Sequence, residues 1–524
     1  MQNTVPDRRA LLAGWLLGAF LLAATLAVHL YLTDSSPFLD EGCRANTGRL
    51  LSHGKAMYRD AFNETGPGIY WVTAGLFRVF GDRFTVLRYA ATAAMLTTLL
   101  LLLGLGRRYG RPAAGLIAAA CFAIFHLFFL GRLWEPESLL TPLLLAPVYL
   151  LAGRDDETTP PRWKFLLAGL AYFLATVIKQ TTWPAAGLAL AVVLASFLRQ
   201  GRGRALTRLG MLAAGLFLPW IALLVMAVWQ GEWKDLLAGY LFPLRRFQVG
   251  TYFCPPSEAE FYLELPFWWL AAASLAYLST RRAGLTALNR RLLLVSLVAT
   301  ILMIFPAMFA YHFLPPLAPA AIGFGLAVTG ARRTARLVYG APFLLLCLPA
   351  AWFASAQYHG RVGKFEMPRW QAVAARVESL TAPDEPIFVF PHDSTYYYLT
   401  GRQPPGRYGF LMPWTTPPEV LDEFLAEFAA RPPRAILYTY LENCTPSGWH
   451  PRDYLEKFLE MLAARYRVAE VFDNQVVLLT PREAAADEAR ESCRLKNLFD
   501  RRETCGRGSA DDLRRRLDAG CPAE

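Results

Sequence analysis

What most limits the folds open to this chain is a run of 24 residues without Asp, Glu, Lys or Arg, Ala10–Thr33, followed by a series of similar blocks. About 20 consecutive apolar residues span a bilayer core. The later blocks are expected at Tyr89–Gly106, Pro112–Gly131, Ser138–Gly153, Phe165–Ile178, Thr181–Leu198, Leu209–Gly231, Leu265–Thr280, Leu292–Ala310, Phe313–Ala331 and Leu337–Gly360. The last two but one would run together as 40 residues, and the Tyr-His-Phe-Leu-Pro-Pro stretch at Tyr311–Pro316 breaks them. The opening run is too long for a secretory signal and no small-residue cleavage site follows it at the right place. Only 18% of the residues are charged, against roughly 25% in soluble domains. These features exclude a soluble enzyme, a disordered chain and a secreted disulfide scaffold. The sequence reads as an α-helical multi-pass membrane protein with eleven spans.

The 53 basic and 42 acidic residues leave a net charge of +11. On a soluble protein that excess would raise nucleic acid as a partner; here it has another explanation. Short Arg-rich connectors (Arg8–Arg9, Arg107–Arg111, Arg154–Lys164, Arg199–Arg208, Arg281–Arg291, Arg332–Arg336) alternate with long or acidic ones. Cationic connectors stay in the cytoplasm. The N-terminus is then expected inside, and an odd number of spans puts the C-terminus outside. The partner implied by the charge is a lipid bilayer, with no nucleic acid.

The outer segments are Asp34–Arg88, Arg132–Glu137, Glu232–Glu264 and everything beyond about Arg361. In the first, Leu39–Leu51 and Tyr70–Phe80 have helical spacing and are too short to span, which fits amphipathic helices on the membrane surface. A turn at Asn63–Gly68 separates them. The expected organisation is a membrane domain over 1–360 that includes the loop 34–88, a small α/β domain over 361–481, and a charged tail over 482–524. Helices are expected at Trp370–Leu380, Glu419–Ala429 and Tyr454–Ala464, and strands at Ile387–Phe390, Ala435–Tyr440 and in a hairpin over Val468–Leu479. Of eight cysteines, Cys121 and Cys347 fall in spans, while Cys43, Cys254, Cys444, Cys493, Cys505 and Cys521 fall outside. Disulfides are expected among the outer six, above all in the tail. The scattered His392, Asp393 and His450 read as ordinary surface residues.

Charges beside the outer ends of spans run against the topology rule and invite a functional reading. The acidic ones are the Asp40-Glu41 pair, Glu135 and Glu137. The basic ones are Lys55, Arg59, Lys179, Arg245, Arg246 and His312. Cations at that depth can hold a lipid phosphate while a carboxylate deprotonates an incoming hydroxyl or amine.

Over roughly residues 10–410 the chain resembles the GT-C glycosyltransferases, the superfamily of protein O-mannosyltransferases and lipid A aminoarabinose transferases. The residues that carry the resemblance are Asp40-Glu41, Gly54–Phe62, Gly66–Tyr70, Glu135–Leu140, Lys179–Thr182, Tyr311–Pro319, Tyr396–Gly401 and Pro404-Pro405. The resemblance implies a GT-C fold and transfer of a sugar from a polyprenyl-phosphate carrier to a lipid, glycan or protein acceptor, with inversion, at the outer face of the plasma (bacterial inner) membrane. Asp40 matches the catalytic acidic position, Glu41 its neighbour, and Glu135 or Glu137 the second acidic position. Glu137 and Tyr58 stand near the acceptor or second acidic site. In the aminoarabinose branch a lysine precedes the first-loop proline and contacts the donor phosphate; here Gly66 precedes Pro67, so the phosphate falls to Lys55, Arg59, Lys179, Arg245, Arg246 or His312. Phosphate is a good leaving group, so a single base and a cationic clamp suffice. No cofactor is required, and a divalent cation between the acidic sites is an open alternative. The competing functional class is a transporter or flippase of a lipid-linked saccharide, for which the sequence offers no internal repeat.

Overall fold

The computed structural model describes residues 8–35, 39–153, 160–198, 201–245, 258–280, 284–305, 308–330, 333–361, 367–439, 451–472, 476–482, 488–499 and 510–521. Cys254, Cys444, Cys505, His450 and Arg246 lie outside them. A helix stands over each of the eleven expected spans. Five segments, Leu12–Tyr31, Phe84–Arg108, Gln180–Phe197, Arg202–Trp229 and Ala310–Gly330, are long and apolar enough to cross a membrane unaided. The elements that build the site are α1 (Arg8–Tyr31), α2 (Leu39–Ser52), α3 (Gly68–Phe80), α4 (Phe84–Arg108), α5 (Pro112–Phe128), α6 (Pro136–Leu151) and α7 (Arg162–Ile178).

Helices in lipid gain little from the hydrophobic effect and associate through close backbone approach at small residues. Gly169 on α7 faces Gly215 on the helix Arg202–Trp229 so closely that a Cβ at 169 would lie 2.1 Å from the Leu212 carbonyl oxygen. The helix Leu314–Gly330 is buried over most of its length and forms the centre of the bundle. At one end of the bundle arginines tie the connectors together: Arg111 donates to the Tyr277 hydroxyl at 2.8 Å and Arg108 to the Ala152 carbonyl at 3.2 Å. The opposite end carries α2, α3 and a separate α/β domain.

That domain contains β1 (Ile387–Phe390), β2 (Ala435–Thr439), β3 (Tyr466–Phe472) and β4 (Val476–Pro481) in the order β1-β2-β4-β3. β1 and β2 are parallel and the other pairs antiparallel. The expected strands are all present, though Tyr440 and the hairpin tip at Asp473-Asn474 lie outside the described residues. Helices Pro418–Ala430 and Arg452–Arg465 cover one face, where Phe388, Phe424 and Phe458 meet. The charged C-terminal stretch continues this core: Leu495, Leu498 and Phe499 of the helix Glu488–Phe499 are buried in it. Cys493 and Cys521 form a disulfide within this stretch.

Of the two helices in the first outer loop, α3 leaves Val72, Val79 and Phe80 exposed on one face, but α2 has no such face. α2 is buried on nearly every side, between α3 and the short helix Thr395–Thr400 of the α/β domain. Two glycines permit this: a Cβ at Gly42 would sit 2.1 Å from Thr395 Oγ1, and one at Gly48 would sit 2.2 Å from Thr73. Arg49 then donates to the carbonyls of Tyr398 (2.7 Å) and Tyr397 (2.8 Å), near the C-terminal end of that short helix. The surface-helix expectation failed for α2 because a polar helix facing a second protein layer has the same composition as one facing headgroups.

Candidate active site

Asp40 and Glu41 occupy the first turn of α2, where the helix dipole favours acidic groups. Their surroundings differ completely. Glu41 is fully buried; Arg88 Nη2 of α4 bonds to its Oε2 at 2.6 Å, and the Trp134 backbone N–H donates to Oε1 at 2.7 Å. Trp134 Nε1 in turn donates to Thr73 on α3 at 2.8 Å. Glu41 thus ties the loop between α5 and α6 to α2. Asp40 keeps 27% of its side-chain surface exposed, and its ionic contacts among the described residues are long. Arg44 Nη1 lies 3.8 Å from its Oδ2 and His392 Nε2 lies 3.7 Å from its Oδ1.

Arg44, one turn along α2, links the acidic sites. Its Nη2 is 2.9 Å from Glu135 Oε2. Glu135 precedes Pro136, the first residue of α6, and is fully buried. Burial pushes its carboxyl well above the usual carboxylate range, with Arg44 pulling the other way. Its Oε1 has no hydrogen-bond partner among the described residues. Two residues on, Glu137 Oε1 accepts a bond from Lys179 Nζ. His312 Nε2 lies 3.6 Å from the same oxygen and 3.1 Å from Lys179 Nζ. Lys179 is placed by an extended residue at the end of α7, and His312 by the break before the helix Leu314–Gly330.

The turn between α2 and α3 closes the remaining side. A Cβ at Gly66 would meet the Val177 carbonyl oxygen at 2.3 Å, and one at Gly68 would meet Ile178 at 2.9 Å. A lysine cannot stand at 66 in this packing, whereas Lys179 follows immediately on the strand of backbone that Gly66 touches. The turn presents Glu64, whose charge interacts with Asp40, Arg44 and Lys179. Burial pushes its carboxyl up to about 7, Asp40 adding to the rise. Its ordinary value is 4.5, so between pH 4.5 and about 7 the folded protein binds a proton that the unfolded chain has lost. Stability from this group therefore falls as pH rises through that window. Glu64→Gln is expected to melt higher than wild type at pH 8 and to match it at pH 4; equal melting curves at pH 8 would refute the assignment.

The structure brings together Asp40, Glu135, Glu137, Lys179 and His312 of the sequence-expected residues. Lys55 and Arg59 are exposed and line a different pocket, of about 410 Å³, with Pro404 and Arg407 of the α/β domain. Arg59 pairs there with Asp60 (3.0 Å) and Glu232 (3.1 Å). Tyr58 is buried, donates to the Thr65 carbonyl at 2.9 Å, and packs its ring where a Cβ at Gly239 would be 2.2 Å away. Arg245 ends the short helix Phe242–Arg245. Sequence reasoning missed Arg44, Glu64, Arg88 and His392. His392 is not a surface residue: it is buried, on the loop that leaves the C-terminal end of β1. In sheets with parallel strands that edge is where ligand-facing residues collect, which was the available signal. No group of three His, Cys, Asp or Glu side chains among the described residues is arranged to hold a metal ion.

Beneath the cluster runs an apolar groove of about 970 Å³ between α3, α4, α6 and α7. Trp134 and Ile178 line it. One is bonded to Glu41 and the other precedes Lys179 in the chain, so the groove passes close to the charged residues.

Residues 64–229 match the family described as dolichyl-phosphate-mannose-protein mannosyltransferase. ArnT from Cupriavidus metallidurans, solved with bound undecaprenyl phosphate, aligns at a TM-score of 0.59 and 14% identity over 90% of this chain and 98% of its own. The archaeal oligosaccharyltransferase AglB from Archaeoglobus fulgidus, solved with an inhibitory peptide and a dolichol-phosphate, aligns at 0.52 and 13% identity over 86% of this chain and 72% of its own. No curated protein matches the chain in sequence. This chain has the GT-C fold, and the resemblance read from its sequence holds.

Proposed function

We propose that this protein is an inverting glycosyltransferase that takes a sugar from a polyprenyl-phosphate carrier and transfers it to a lipid, glycan or protein acceptor outside the cytoplasm. The observation that carries the reading is the partly exposed Asp40 carboxylate, linked through Arg44 and Glu64 to Lys179, near a lipid-sized groove whose lining includes Ile178, the residue before Lys179. The groove takes the isoprenoid chain. Lys179 and His312 meet the phosphate, Lys179 exchanging its bond to Glu137 for one to the departing oxygen. Departure of the phosphate builds oxocarbenium character at the sugar carbon, and charge stabilisation at the leaving oxygen replaces a general acid. On the opposite face Asp40 takes the acceptor's proton. Arg44, set 2.9 Å from buried Glu135, stands 3.8 Å from Asp40 and helps hold it in place. A single displacement needs no second carboxylate as nucleophile. The Cys493–Cys521 disulfide supports an oxidising compartment for the α/β domain, which agrees with the Arg-rich connectors on the other side.

The test is conversion of a labelled polyprenyl-phosphate sugar by the purified protein, with the anomeric configuration of the product read by NMR. A flippase would leave the sugar–phosphate bond intact, and that outcome overturns the proposal. Ala93 on α4 lines the groove. Ala93→Phe is expected to lower kcat/KM for a long-chain donor about tenfold while sparing a short-chain one. Equal effects on both donors would remove the chain from this groove.

A further inference from the structure

We propose that His392, carried by the α/β domain, is a positioning residue for Asp40, so that docking of this domain completes the catalytic centre. The inference rests on Asp40 being the base. The two carboxylate oxygens of Asp40 have different neighbours: Arg44 stands 3.8 Å from Oδ2 and His392 Nε2 stands 3.7 Å from Oδ1. The carboxylate is bracketed by one group from its own helix and one from a domain more than 300 residues away in the chain. Neither contact is short, so Asp40 is steered without being consumed, unlike Glu41 with its bonds of 2.6 and 2.7 Å.

The support behind His392 is rigid. Thr439 Oγ1 of β2 donates to the His392 carbonyl at 2.7 Å, and the Leu411 N–H donates to the Pro391 carbonyl at 2.8 Å. The imidazole packs against the Phe410 ring with centroids 5.1 Å apart. Three residues on, Thr395 abuts Gly42, and Arg49 grips the end of the same short helix. The domain is therefore held to α2 at two further points along the helix from where His392 meets Asp40. Burial lowers the affinity of this imidazole for a proton, Asp40 opposing the shift and Arg44 adding to it, so it approaches the carboxylate as a neutral ring. A neutral ring can donate one hydrogen bond to Asp40 without neutralising the base. Shortened from 3.7 Å to hydrogen-bond length, this contact would fix which lone pair faces the acceptor, and misplacement of a reacting group by about 1 Å costs up to about 10²-fold in rate.

Packing and positioning are separable. In the full-length protein with a polyprenyl-phosphate sugar as donor, His392→Ala is expected to lower kcat about 10- to 100-fold with donor KM and melting temperature unchanged. His392→Phe keeps the contact with Phe410 and loses the polar atom, and it is expected to fall with Ala. His392→Gln offers an amide toward Asp40 and is expected to recover part of the loss. Wild-type kcat in the Ala or Phe variant overturns the proposal, as does a loss confined to KM. An Asp40→Asn protein that still transfers sugar would remove the base itself and with it the functional reading. An inactive Asp40→Asn beside a fully active His392→Phe would remove only the role given to His392.

Discussion

Asp40→Asn is expected to yield a folded, membrane-inserted protein whose sugar transfer falls by roughly 10² to 10⁴, the usual contribution of a general base. The prediction is sharp because folding asks little of this side chain. Asp40 is 27% exposed, and its ionic contacts are 3.7 and 3.8 Å long. Removing its charge leaves Arg44 at 2.9 Å from Glu135. The amide fills the same space and cannot accept the acceptor's proton. Single-turnover transfer and thermal melting of the purified variant check the two halves separately. Near-wild-type transfer would move the base elsewhere in the cluster, with Glu64, half protonated near neutral pH, next in place.

The membrane helices were legible because a block of uncharged residues carries its meaning without knowledge of its neighbours. The same property exposed half of the site. Asp40, Glu135, Glu137, Lys179 and His312 stand out as charges beside apolar runs, and these are the residues the fold gathers. The others were hidden for a physical reason. Arg44 and Glu64 lie in a polar loop where a charge is unremarkable, and only the approach of Gly66 to the Val177 carbonyl brings Glu64 to Lys179. His392 reaches Asp40 through docking of a separate domain, a contact that no local spacing encodes. Lys55 and Arg59 show the converse: they carry the right charge in the right loop, yet face the α/β domain in another pocket.

Glu41 gives the largest expected effect on stability, and it separates structure from chemistry in two adjacent acids. Glu41→Ala takes the carboxylate from Arg88, itself 2% exposed, and from the Trp134 N–H. Breaking a buried ion pair from one side typically costs about 3–5 kcal/mol, because the remaining charge stays where water cannot reach it. Yield of folded protein and melting temperature should both drop well below those of Asp40→Asn. The double variant Glu41→Leu with Arg88→Leu removes both charges, and replacing a buried pair by apolar groups is often close to neutral. Most of the lost stability should return, less about 1–3 kcal/mol for the Trp134 N–H left without its acceptor. Its activity decides the role of Glu41. If Glu41 only ties the loop before α6 to α2, the double variant regains transfer as it regains stability, because the loop that carries Glu135 and Glu137 is again held against Arg44 and Lys179. A well-folded double variant without transfer would instead place Glu41 in the chemistry, beside Asp40 and not beneath it.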